Sequence, residues 1–97
     1  MAKPAKLPSE ILREDGWCKK VAFTDDGRHC LVGAFLESVS PSIDFDGQIM
    51  RALRAAIRVV APETRLLVTE WNDAQPSAAP VIAAAERAER LLGWVAA

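Results

Sequence analysis

The sequence predicts an α+β domain: one β-hairpin, spanning about residues 18–31, with about four helices, the two long ones (about 46–61 and 77–92) packed together. Three observations predict it. Asp26-Gly27 separates two stretches of alternating apolar residues and suits the positive φ angles of a two-residue hairpin turn. Ile49, Leu53, Ala56, Ile57 and Val60 recur at helical spacing on one face. Ser77 with Pro80 in the first turn marks a helix start, and Val81, Ala85, Ala88, Leu92 and Val95 form a seam behind it, with Ile82 and Leu91 alongside.

The elements follow in order. Residues 1–8 read as a flexible N-terminus and 9–97 as a single domain. Pro8-Ser9 opens a short helix, with Ser9 as its cap, that Gly16 ends. Trp17 to Thr24 reads as a strand. With Asp26-Gly27 as the loop, Thr24 faces His29, Phe23 faces Cys30 and Val21 faces Val32, which puts the apolar members on one face. The return strand ends near Leu31 and a helix continues to about Val39, although Cys30 and Val32 also fit strand alternation. Ser40-Pro41-Ser42 is a loop, Asp44 or Asp46 caps the next helix, and Pro62 ends it. Leu66-Leu67-Val68 is extended or a half-turn leading into Trp71-Asn72-Asp73, and Glu86 and Arg90 form an exposed i,i+4 pair.

Composition sets limits on function. Ninety-seven residues with 51% hydrophobic content make one core, though 17 of the apolar residues are alanines that contribute little area each. Twelve basic and thirteen acidic residues give a net charge of −1, which lacks the basic excess of a dedicated nucleic-acid binder. One histidine and two cysteines cannot complete a Cys/His zinc site without carboxylate help, so neither metal nor cofactor is expected. No secretory pattern and no run of ~18 apolar residues stands in the sequence, so a cytoplasmic chain with reduced thiols and no membrane contact is expected.

Four groups of residues carry candidate chemistry. Cys18 or Cys30 with His29 supplies the thiol and imidazole of a cysteine-dependent hydrolase. A flat hairpin, however, places Cys18 and His29 ~20 Å apart at ~3.3 Å per residue, and the competing reading is two small buried thiols plus a hairpin histidine. Arg51, Arg54 and Arg58 line up on the side of their helix opposite Leu53, with no carboxylate interleaved. They suit an acidic protein surface or a phosphate backbone, against the plain reading of a solvated face. Trp94 follows Gly93 and either folds back or is left exposed for a partner. Trp71-Asn72-Asp73 is a polar corner that serves either as a site or as a turn. No Gly-rich phosphate loop, serine elbow or paired-cysteine motif accompanies them.

Gly16-Trp17-Cys18, Asp26-Gly27-Arg28-His29-Cys30-Leu31-Val32-Gly33-Ala34 and Trp71-Asn72-Asp73 together resemble a small family of uncharacterised bacterial and phage proteins. The resemblance covers most of residues 10–92, with Lys19-Lys20 standing where that family usually has a residue and then Gly. It implies no activity. Its phage and mobile-element distribution implies a small protein that acts by binding larger machinery. The leading expectation is therefore a non-enzymatic protein-interaction module, of the inhibitor or adaptor kind used against host defences, whose partner is a host macromolecular complex. The hydrolase and a nucleic-acid-binding module are the alternatives, and a homodimer is compatible with both module readings.

Overall fold

A computed structural model describes residues 3–41 and 43–96. Met1 and Ala2 of the expected N-terminal segment, Ser42 of the expected loop, and Ala97 lie outside the described residues. Five α-helices follow one another in the described residues: α1 (Pro8–Asp15), α2 (Leu31–Ser38), α3 (Met50–Val60), α4 (Val68–Ala74) and α5 (Ala78–Leu91). A π-helical turn, Phe45–Ile49, leads into α3, with the Asp44 carboxylate accepting the Gly47 N–H at 3.0 Å. The described residues contain no strand, so the α+β expectation is replaced by a helical domain.

The hairpin fails for a local reason. A two-residue type I′ loop needs positive φ at both Asp26 and Gly27, and only Gly27 (φ 88°) has it. The Thr24 N–H donates to Arg28 C=O at 3.0 Å and the Gly27 N–H to Thr24 C=O at 3.1 Å, which closes a three-residue loop instead. Opposed positions slip by one, so Phe23 pairs with His29, not Cys30. Lys20, at φ 73°, then breaks the extended run, and only isolated bridges form. The His29 segment lies between two others. Trp17 bridges His29 in parallel, through Cys18 N–H to His29 C=O (3.0 Å) and His29 N–H to Gly16 C=O (3.1 Å). On the other side, Cys30 N–H donates to Ala22 C=O at 3.0 Å.

The 16–30 loop rests on α2. A Cβ on Gly33 would lie 2.1 Å from the Ala22 carbonyl oxygen, so only glycine lets the loop backbone approach the helix this closely. The helix-propensity cost of Gly33 is thus a condition of the packing.

The core sits where α3 packs along α5. Ile49, Leu53, Ala56 and Ile57 share one cluster of buried side chains with Val81, Ala84, Ala85 and Ala88 of α5, and the cluster also takes in Phe35 and Trp71. The alanines let the two helices approach closely, so the alanine-rich composition serves packing here. Val60 and Leu91, assigned to the apolar faces by periodicity, lie at helix ends and are exposed.

Polar groups hold α1 to α5. Glu89 of α5 is buried, and its carboxylate accepts both the Ser9 N–H (2.8 Å) and the Ser9 hydroxyl (2.9 Å). It thereby satisfies an orphan N–H of the first turn of α1 from a neighbouring helix. Burial pushes the Glu89 carboxyl above the usual carboxylate range, against the two bonds from Ser9. Ser9 is accordingly not the cap. Leu7 holds that position, and its N–H donates to the Glu10 carboxylate at 2.9 Å. Glu86 pairs with Arg13 of α1 at 2.6 Å in place of the expected Arg90.

Candidate functional site

Of the stretch expected to be extended or a half-turn, Leu67 is extended and Val68 already opens α4. The Glu70 carboxylate accepts the Leu67 N–H at 2.9 Å and the Trp71 N–H donates to Leu67 C=O at 2.8 Å, so the helix starts without a polar cap residue. This helix positions Trp71-Asn72-Asp73. Trp71 is in the core. Asn72, only 1% exposed, is a four-way latch. Its carbonyl oxygen accepts the Trp17 indole N–H (2.8 Å) and the Leu31 N–H (3.0 Å), and its amide donates to Cys18 C=O and to the Asp73 carboxylate (both 3.2 Å). Asp73 also accepts the Lys20 N–H at 2.8 Å, at the residue with positive φ. The three motif segments, far apart in sequence, thus meet at one side chain, and every polar atom of Asn72 is spent on holding backbone and indole. The corner is a structural latch.

The thiols are engaged in the same way. Cys18 and His29 are backbone neighbours, because Trp17-Cys18 pairs beside His29 in parallel; the ~20 Å of a flat hairpin does not apply. Proximity does not make a nucleophile. Cys18 is buried, its thiol donates to Val21 C=O at 3.3 Å, and burial pushes it above the usual thiol range, opposite to the shift an attacking thiolate needs. Cys30 is the N-cap of α2, its sulfur accepting the Gly33 N–H at 3.3 Å. His29 Nδ1 is buried without a hydrogen-bond partner, 3.9 Å from the Asp15 carboxylate, and the ring meets Phe23 edge-on at 5.3 Å. No hydrogen bond joins either sulfur to the imidazole among the described residues.

The arginine stripe is exposed as the periodicity predicts, but it divides. Arg54 and Arg58 line a groove of about 410 Å³ together with Arg65, Leu66, Leu67 and Thr64, closed at its base by Ile57 and Val68. Arg51 lines a separate apolar groove with Ala52, Ala55, Leu91 and Leu92. None of Arg54, Arg58 and Arg65 is in an ion pair among the described residues; Arg65 makes only a 3.4 Å bond to the Thr64 carbonyl. The neighbouring Glu70 carboxylate is turned onto the Leu67 N–H. Leu66 and Leu67 stand 45% and 69% exposed on the groove's edge. Trp94 is not at the surface: it is 4% exposed and stacks on Phe35 with ring centroids 5.9 Å apart.

Residues 9–91 match the family model described as a family of unknown function, DUF6197. The chain belongs to DUF6197. The matched span encloses both the Asn72 latch and the arginine groove. No curated protein and no solved structure matches the chain. In this DUF6197 chain, sequence reasoning missed Arg65, Leu66, Leu67 and the helix that follows them. The signal was present: Glu70 stands three residues after Leu67, and Val68, Trp71 and Asn72 share the one helical face that is buried. Among the described residues of the DUF6197 chain, no group of three His, Cys, Asp or Glu side chains could hold a metal ion, and no helix is long and apolar enough to cross a membrane.

Proposed function

We propose that this protein is a non-enzymatic protein-interaction module whose partner docks on the groove of Arg54, Arg58 and Arg65. One observation carries the reading: three arginines line a single concavity with no carboxylate paired to them among the described residues, beside two exposed leucines. Arginine next to exposed apolar side chains is the composition of protein interfaces, where guanidinium supplies forked hydrogen bonds and the apolar edge supplies area. A phosphate-backbone site is less well matched, since the leucines offer nothing to phosphate and the chain's net charge is −1. An inhibitor or adaptor acting on a larger host assembly is the specific form of this reading. The cytoplasm is its expected compartment, in keeping with two free cysteines.

Affinity capture from a bacterial lysate with the wild type and with R54E/R58E/R65E tests it. Because these side chains are solvent-facing, the variant is expected to melt within a few degrees of the wild type. It should retain its stoichiometric protein partner at least tenfold less well, a loss of ~1.4 kcal/mol or more, and wild-type capture should weaken as salt rises. Equal capture by the folded variant would remove the groove from the account, and nucleic acid as the sole co-eluting species would replace the protein partner.

A further inference from the structure

The small cavity of about 130 Å³ bordered by Cys30, Thr69 and Asp73 belongs to the latch. The apolar groove beside Arg51, Leu91 and Leu92 has nothing to indicate what covers it. The arginine groove differs because its charge and its edge specify an occupant.

Resting on the interaction-module reading, we propose that the groove recognises an extended acidic segment of the partner, with carboxylates spaced around one large apolar side chain. Charge complementarity gives the first half. Arg54 and Arg58 are one helical turn apart on α3, and Arg65 approaches from the chain that returns after Pro62, so positive charge lines both walls. One carboxylate would neutralise one guanidinium through a forked pair and leave the others unpaired, so the occupant carries at least two. The lining gives the second half. Leu66 and Leu67, exposed at the edge, with the nearly buried Ile57 and Val68 also lining the groove, give it an apolar part that a peptide of carboxylates alone would leave covered by charge. An extended chain points successive side chains to opposite faces, so an Asp/Glu–x–Leu–x–Asp/Glu pattern presents both carboxylates and the leucine on one face and matches both parts.

The test is an NMR titration of the full chain with a capped peptide, Gly-Glu-Ser-Leu-Ser-Glu-Gly, following the Arg Nε–H and Leu methyl signals. Saturable shifts are expected at Arg54, Arg58, Arg65, Leu66 and Leu67. Replacing the glutamates with glutamine, or the leucine with serine, should each weaken binding at least tenfold, and R58E should do the same. Binding that needs the glutamates but not the leucine, and that a DNA oligonucleotide displaces, would overturn the inference in favour of a polyanion site. So would an absence of shifts at millimolar peptide. If the peptide fails while partner capture stays arginine-dependent, this inference falls alone; if both fail, the interaction-module reading falls with it.

Discussion

Asn72→Ala is expected to lose about 3–6 kcal/mol of stability, enough to unfold much of the population if the domain's total lies near the lower end of the usual ~5–15 kcal/mol. The estimate comes from the groups left behind. Alanine strips the acceptor from the Trp17 indole N–H and the Leu31 N–H, and the donor from the Cys18 carbonyl. The two buried backbone groups cost about 1–3 kcal/mol each when left without a partner, and the half-buried indole N–H costs less. The segments that lose their tie also lose their mutual register, because the 16–30 loop has isolated bridges and no ladder to hold it. Urea unfolding followed by far-UV circular dichroism measures the effect. A loss below about 1 kcal/mol would mean that water or a relaxed loop replaces Asn72, and the latch description would be wrong.

Leu53→Ala should cost about 2–5 kcal/mol, the range for removing a fully buried leucine and leaving part of its volume empty. Leu53 is fully buried in the core cluster that joins α3 to α5, and the alanines of that cluster, Ala84, Ala85 and Ala88 among them, have no longer side chains to extend into the space. Ile57, one turn further along α3, is buried in the same cluster, and combining the two truncations should leave little folded protein. The urea midpoint again decides. An unchanged midpoint for Leu53→Ala would place the core elsewhere.

Periodicity and turn chemistry are legible in this sequence to different degrees. Ile49, Leu53, Ala56 and Ile57 declare a helical face because α3 has one buried side and one solvated side. The match of residues 9–91 to a family of unknown function agrees with the resemblance noted from the motifs. The hairpin register is not legible because Asp-Gly serves a three-residue loop as well as a two-residue one, and a one-residue slip moves every facing pair. Nothing local announces that Lys20 will take positive φ; the Asp73 carboxylate on its N–H, 53 positions away, is part of what holds it there. Glu89 was invisible for a similar reason, since a glutamate on a helix reads as solvated until Ser9 of another helix is seen against it. The arginines of α3 were legible as a stripe. Their concavity was not, because its far wall is Arg65 to Val68, brought back by the turn after Pro62.

The central claim is that a protein partner sits in that concavity, and site-specific photocrosslinking tests it most directly. A benzophenone side chain is introduced at Leu67, on the groove's edge, and in parallel at Phe23, an exposed position that does not line the groove. The account predicts one protein adduct from position 67 in living cells, absent from position 23 and lost when R54E and R58E are added. Equal adducts from both positions, or an adduct at 67 that survives the arginine substitutions, would contradict it.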